Sequence, residues 1–267
     1  MHGTSYIMTW RGSKDPTRRA NLDAVLEWLG LIQPAEIILV EQDVAPSLGD
    51  LPGLPGLRSL FAYNPGAFRK SWGFNIGARV AAGSVLAFGD ADVICGSLPA
   101  AIAHCRSGVP VVRPFNGIRD LDQTESAVVR DDLSALRDPG FGKRPANRAA
   151  AGEVPPICGA LILFRREFFS VLGGWDERFV GWGGEDDAMD IKIRRARIDP
   201  AVLNATDGFH LWHERANANI VESPDYRQNL ALLEQLRTLS EESLRRFCEV
   251  SGQLGGNPEM FRPEEPR

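Results

Sequence analysis

An α/β fold with a mostly parallel central sheet flanked by helices is what this sequence predicts, on three observations. Short apolar runs alternate with stretches whose apolar residues recur at helical spacing, the pattern of βαβ units. Two of the runs, Glu36 to Glu41 and Ser84 to Phe88, are almost continuously apolar, as strands covered on both faces must be. The 267 residues, 43% hydrophobic and 24% charged, suit one large soluble domain.

Taken in order, Ser5 to Trp10 is a β-rich run that Arg11-Gly12-Ser13 turns. Pro16 to Leu31 places Leu22, Val25, Leu26 and Leu29 at helical spacing, with proline suited to the first turn. Glu36 to Glu41 is a buried parallel strand, Pro46 to Gly56 a Pro/Gly-rich loop, and Arg58 to Tyr63 a third strand. A helix over Lys70 to Ala82 precedes the strand Ser84 to Phe88. Parallel strands leave the loops after Trp10, Val40 and Phe88 at the carboxyl edge of the sheet, where open α/β sheets bind ligands. Arg119 to Glu153 is polar and weakly periodic, and reads as a surface excursion with one short helix near Asp131 to Arg137 and a mobile loop beyond it. Ile157 to Phe164 returns to strand, and Arg166 to Leu172 and Glu185 to Arg197 to helix. Pro224 to Phe247 reads as one long helix whose Leu230, Leu233, Leu236 and Leu244 pack on the domain or on a second subunit.

The net charge of −5 argues against a nucleic-acid-binding protein. The first ten residues lack a signal-peptide pattern, and no apolar run approaches the ~20 residues that span a bilayer. Cys95, Cys105, Cys158 and Cys248 show no CxxC pairing and read as buried thiols in a reducing compartment, with the cytoplasm as the expected location.

The chemistry concentrates in Gly181-Trp182-Gly183-Gly184-Glu185-Asp186-Asp187, three successive carboxylates behind a flexible, aromatic-bearing turn. A helix N-terminus attracts acidic residues, which accounts for the carboxylates but not for the glycines and the tryptophan. Asp90-Ala91-Asp92, at the end of a buried strand, offers hard oxygen ligands to a divalent cation or, alternatively, turn-capping side chains. His210 and His213 are two of four histidines and stand three positions apart, on one side of a helical turn or tight loop. Their bland alternative is a pair of core or cap residues. Trp10, Trp28, Trp72, Trp175 and Trp212 read as core or loop anchors, and the basic run Lys192 to Arg197 as a solvated face paired with nearby carboxylates or, less simply, a patch for anionic lipid surfaces.

In this order, Asp90-Ala91-Asp92, Gly174-Trp175-Asp176, the Trp182-Gly183-Gly184-Glu185-Asp186 motif and His210-x-x-His213 resemble the β-1,4-galactosyltransferase-like glycosyltransferases of the A-type (GT-A, Rossmann-like) fold. Phe68 to Ala78 is similar to the Arg-x-x-x-Asn-x-Gly helix of family-two glycosyltransferases, and bacterial chondroitin-polymerase-type enzymes combine similar elements. The resemblance spans roughly Ser5 to Arg215. It implies a single GT-A domain over 1–250, with a nucleotide-sugar half near 1–115, an acceptor and metal half near 154–222, a C-terminal helix over 224–247 and a flexible tail over 251–267. It also implies an inverting hexosyltransferase that uses a UDP-sugar and Mn²⁺ or Mg²⁺, with a glycan, lipid-linked or small-molecule acceptor and at most peripheral membrane contact. Asp92 and His213 would hold the metal, His210 would add a second nitrogen, and Asp90 would lie near the ribose or the metal shell. Thr9, Trp10 and Arg11 match one nucleotide-contacting loop and Glu41 and Gln42 another. Phe68 matches an aromatic near the uracil, Lys70 an arginine on phosphate, and Arg69 and Asn75 belong to the same donor-binding segment. Asp186 matches the catalytic base, Glu185 a sugar-hydroxyl contact, and Trp182 the wall between donor and acceptor, with Gly183, Gly184 and Asp187 completing the substrate loop.

The chemistry agrees. A diphosphate leaving group needs a cation beside its developing charge, and the attacking hydroxyl needs a base. Repulsion from Glu185 and Asp187 is expected to raise the Asp186 pKa, and the glycines to let Trp182 swing. Two other readings are a sugar-nucleotide-binding module without transfer activity and a haloacid-dehalogenase-type hydrolase. The second fits poorly, because its Asp-x-Asp normally ends the first strand with Thr or Val two positions on, and Ile94 stands there.

Overall fold

β1 (Thr4–Trp10) is buried along its whole length at the centre of the larger sheet. The structure, a computed structural model, describes residues 3–138, 141–142, 145–146, 159–205, 207–214 and 222–251. β2 (Glu36–Asp43) and β4 (Val85–Gly89) pair parallel on either side of β1, and β3 (Leu57–Tyr63) continues parallel beyond β2. On the far side of β4 the sheet turns mixed. There β9 (Leu161–Arg165) runs antiparallel between β4 and β6 (Val111–Arg113), and β10 (Pro200–Val202) closes the edge. Seven strands in the order β10-β6-β9-β4-β1-β2-β3 result, mostly parallel as the sequence predicts.

Alternation assigns each strand's side chains to two cores. Tyr6, Met8, Ile37, Leu39, Val85 and Ala87 face one cluster, which α1 (Pro16–Ile32) completes with Leu22, Val25, Leu26 and Trp28. Ile7, Ile38, Val40, Leu86 and Phe88 face the other, completed by Trp72, Phe74 and Ala78 of α2 (Lys70–Val80) and by Trp175. Helices on both faces, with α3 (Leu98–Arg106) adding to the first core and α5 (Arg166–Val171) to the second, explain the nearly unbroken apolar runs. Because β1, β2 and β4 are parallel, Trp10, Asp43 and Gly89 end at one edge, and β9 begins there, Leu161 opposite Gly89.

A smaller sheet of β5 (Val93–Cys95), β11 (Gly208–His210), β7 (Ile118–Asp120) and β8 (Pro145–Ala146) sits beside that edge. It alters the reading of the Arg119 to Glu153 excursion. Between β7 and β8 lies α4 (Gln123–Asp131), which begins with a capping box of Asp122 and Glu125 and buries Ser126 and Val129. Leu133–Arg137 is a single 3-10 turn, and most of the loop beyond lies outside the described residues.

Two further corrections concern the second half. The C-terminal helix is broken into α7 (Pro224–Thr238) and α8 (Glu241–Ser251), because Ser240 caps a new start by accepting from Ser243 N–H at 3.1 Å. Leu233, Leu236 and Leu244 pack with Phe179 and Ala188 of the same chain, while Leu230 is exposed. The tail over 252–267 and Cys158 lie outside the described residues. The basic run is also not a solvated face throughout. Lys192, on α6 (Glu185–Arg195), is buried and donates to the Leu172 and Gly174 carbonyls at 3.1 and 2.8 Å, and burial lowers its pKa. Arg194 pairs with Asp190, and Arg195 donates to the Leu236 carbonyl.

Asn75 ties α2 to the Gly174-Trp175-Asp176 turn. Its Nδ2 donates to Trp175 O and Glu177 Oε1, both at 2.8 Å, and its Oδ1 accepts from Trp175 N–H at 2.9 Å. Asn75→Ala leaves two buried backbone groups of Trp175 unsatisfied and is expected to lower stability by about 3 kcal/mol. Urea unfolding in the absence of nucleotide measures this, and a loss below about 1 kcal/mol would show that the tie is dispensable.

Candidate active site

The acidic turn reaches α6 through glycines that carry positive φ: 70° at Gly181, 93° at Gly183 and 96° at Gly184. A Cβ on Gly184 would lie 2.7 Å from the Phe179 ring, and one on Gly183 3.0 Å from Tyr226. Asn229 on α7, itself buried, donates to the Val180 and Gly183 carbonyls at 2.9 and 2.8 Å and accepts from Val180 N–H. Trp182 stacks on Tyr226 at 5.6 Å and 25° between planes, and remains 55% exposed. The turn therefore holds one shape here, fixed from α7. Neither Asn229 nor Tyr226 stands out in the sequence. A buried asparagine in line with Leu233 and Leu236 was the available signal for the first.

Lys70, the first residue of α2, extends its ammonium to 3.0 Å from Asp90 Oδ1, 3.4 Å from Asp186 Oδ2 and 3.6 Å from Glu185 Oε1. Burial acts to lower the Lys70 pKa, but Asp186, Asp90 and Glu185 outweigh it and hold the ammonium well above its ordinary value. The Glu185 carboxyl is raised to about 7, by burial first and then by Asp186, with Lys70 opposing. Asp187, more exposed, is also raised, by burial and by Asp186.

The second cluster stands beside the first. Asp90 and Asp92 lie in the turn after β4, closed by Val93 N–H on Asp90 O. His210 ends β11, a strand and not the helical turn that the spacing allowed, and His213 follows in a non-helical segment. His210 Nε2 is 3.6 Å from Asp92 Oδ1 and His213 Nε2 3.3 Å from Asp92 Oδ2. One donor atom from each of the three lies within 4.8 Å of the others, all at partly buried positions.

Of the other residues expected to contact a donor, most have polar groups that bind protein. Gln42 donates to Thr9 Oγ1 at 2.7 Å and to Arg69 O at 2.9 Å, and accepts from Asn64 and from Arg69 N–H. Buried Glu41 accepts from Ser47 and Leu48 N–H, holding the loop after β2. Arg11 donates to the carbonyls of Gln42, Asn64 and Gly66. Trp10 is 8% exposed and packs in the core, and Phe68, half-buried, accepts through its carbonyl from Gly181 N–H at 2.8 Å. Arg69 reaches the Glu177 carbonyl at 3.5 Å. These groups shape the loops after β1, β2 and β3 and join them to the acidic turn.

With this geometry established, comparison with known proteins is informative. Residues 150–214, which hold the acidic turn and both histidines, match the family described as the N-terminal domain of galactosyltransferase. Sequence comparison with curated proteins finds no match. Among solved structures, the catalytic domain of Drosophila β1,4-galactosyltransferase 7, in complex with xylobiose, superposes with a TM-score of 0.52 at 15% identity, over 86% of this chain and 80% of that one. Glucosyl-3-phosphoglycerate synthase from Mycobacterium tuberculosis, with Mn²⁺, UDP-glucose and phosphoglyceric acid, superposes with a TM-score of 0.54 at 14% identity, over 90% and 81%. GalNAc-T7 with UDP, GalNAc and Mn²⁺ gives 0.55 at 15% identity, over 93% of this chain and 54% of that one. The fold is that of the GT-A glycosyltransferases. Within that fold, the segment carrying the acidic turn and the two histidines is the part similar to the galactosyltransferase family.

The raised Glu185 carboxyl has a consequence for stability. From its ordinary 4.5 up to about 7, the folded chain holds a proton that the unfolded chain has released, so this group makes stability fall as pH rises through that window. Glu185→Gln should remove that slope, by at most about 3 kcal/mol between the two limits. Urea midpoints of ligand-free protein at both ends of the window decide it, and an unchanged slope in the variant would assign the titration elsewhere.

Proposed function

We propose that this protein transfers a sugar from a UDP-sugar to a hydroxyl of a glycan, a lipid-linked or another small acceptor, in a divalent-metal-dependent reaction that inverts the anomeric carbon. One observation carries the reading. At a single sheet edge the fold sets the Lys70, Asp90, Glu185 and Asp186 cluster beside the Asp92, His210 and His213 cluster. The relatives complexed with Mn²⁺ and UDP-sugars support the donor and metal class.

The donor set fits such an ion: one carboxylate with two imidazoles suits Mn²⁺ better than Mg²⁺, which prefers an all-oxygen shell. When bound, the ion supplies Lewis-acid stabilisation of a departing diphosphate. The chain's own residues do the rest. Lys70 brings a permanent positive charge to the same edge, suited to a phosphate oxygen as well as to its three carboxylates. Asp186, its side chain 27% exposed, is the base that takes the proton from the acceptor hydroxyl as it attacks. Glu185, able to hold a proton near neutral pH, donates to or accepts from a sugar hydroxyl. Trp182 offers its exposed face to the apolar side of a sugar ring and separates donor from acceptor, with Gly183 and Gly184 letting the backbone pass close beside it.

In this reading the donor half is roughly 1–115 and the acceptor half 154–222, with α7 and α8 bracing the latter. No described helix is long and apolar enough to cross a membrane. Cys95, Cys105 and Cys248 are buried free thiols, which supports a cytoplasmic setting.

Thermal denaturation with UDP should show stabilisation by Mn²⁺ with UDP that EDTA abolishes and that Mg²⁺ reproduces only in part. Absence of any shift with millimolar nucleotide and metal would reject the donor site. Asp186→Asn should keep that shift and lose about 10²–10⁴-fold in transfer rate. Transfer near the wild-type rate would remove Asp186 as the base. The anomeric configuration of the product, read by NMR, tests inversion.

A further inference from the structure

His210 and His213 direct the same nitrogen towards Asp92, and the structure shows a device behind each. The His213 Nδ1 lies 3.0 Å from the Glu214 carbonyl oxygen while its Nε2 faces Asp92. At His210, Nδ1 lies 3.2 Å from Asp120 Oδ1 while Nε2 faces Asp92. The two rings stand 5.4 Å apart at 70°. An imidazole whose Nδ1–H donates to an oxygen presents the Nε2 lone pair, and a carboxylate partner also strengthens that nitrogen as a ligand.

We infer that Asp120 is a positioning residue of the metal site, holding the ring and tautomer of His210 so that Nε2 is offered to the ion. The inference rests on the assignment of Asp92, His210 and His213 as the ion's ligands. The fold enforces the contact. In the smaller sheet His210 pairs with Asp120 of β7 on one side and with Val93, the residue after Asp92, on the other. Leu211 N–H donates to Asp92 O at 2.8 Å, and Leu121 N–H to His210 O at 3.0 Å, fixing His210 between its two neighbours. Asp92, His210 and Asp120 thus lie in three adjacent segments as a carboxylate–imidazole–carboxylate row.

Titration of metal-free protein with Mn²⁺, followed by calorimetry and by the free-ion electron paramagnetic resonance signal, tests this without any activity assay. Asp120→Ala should weaken Mn²⁺ binding by about 10–100-fold. Asp120→Asn keeps an acceptor oxygen without the charge and should lose less. In a His210→Ala background Asp120→Ala should add no further loss. Wild-type affinity in Asp120→Ala, or an equal loss with His210 already removed, overturns the inference. Should Asp120→Ala not fold, unchanged affinity in Asp120→Asn does the same. If the wild-type protein binds no Mn²⁺, the ligand assignment itself falls. If binding is lost in His213→Ala but kept in Asp120→Ala, only the role of Asp120 does.

Discussion

Three carboxylates from two distant parts of the chain converge on the Lys70 ammonium, and the arrangement of the whole site follows from that contact. Asp90 belongs to the turn after β4 and Glu185 and Asp186 to the start of α6, so a single charge joins the sheet edge to the acidic turn. At an effective dielectric constant near 20, a unit pair 4 Å apart is worth about 4 kcal/mol, so three such attractions compete with the repulsion among the carboxylates themselves. Desolvation reduces the net gain, and what remains is mainly positional. Without the ammonium, α6 would present its acidic end to Asp90 and be driven from the edge. With it, Glu185 stays buried at the edge, where desolvation and Asp186 raise its carboxyl to about 7 against the opposing charge of Lys70.

That electrostatic centre works only because the turn around it is fixed from several directions. Asn229 and Tyr226 reach it from α7, and the Phe68 carbonyl meets Gly181 from the segment before α2. Asn75 and Lys192 secure the preceding Gly174-Trp175-Asp176 turn from both sides, one from α2 and one from α6. The Trp175 ring then lies in the aromatic cluster with Phe74, Phe88 and Phe164. Loop placement is thus referred directly to the core beneath the sheet, the most rigid part of a packed domain.

The sequence revealed what depends on local pattern and concealed what depends on distant pairing. The parallel strands, α1 and α2 were legible because apolar periodicity specifies them, and the acidic turn because clustered charge beside glycine is unusual. α4 carried a readable capping box, Asp122 with Glu125, yet its few buried residues left its periodicity weak. The break between α7 and α8 rests on one serine cap within an otherwise continuous leucine pattern. Lys192 read as solvated because adjacent arginines are charged too, and only the turn packed above it explains its burial. Gln42 and Asn75 read as donor contacts, whereas their amides bind loops separated from them by tens of residues in sequence. Asp120 was concealed most completely, since its partner is brought alongside only by β11 pairing with β7.

The spacing of Asp90 and Asp92 has a physical reason once both clusters are seen. The turn after β4 is tight, with Val93 N–H returning to Asp90 O and Asp90 N–H bound to Ala160 O. In such a turn residues two apart can serve different neighbours, and here Asp90 meets Lys70 while Asp92 meets the two histidines. One carboxylate shares with Glu185 and Asp186 an ammonium that belongs to the chain, and the other faces the Nε2 atoms of two imidazoles. Under the proposed function this division makes the two aspartates at the strand end non-interchangeable, with the smaller sheet placing the ion's ligands and α6 the base. Under the same proposal, a substrate that spans both clusters would meet the Lys70 ammonium on one side of Ala91 and the acquired ion on the other.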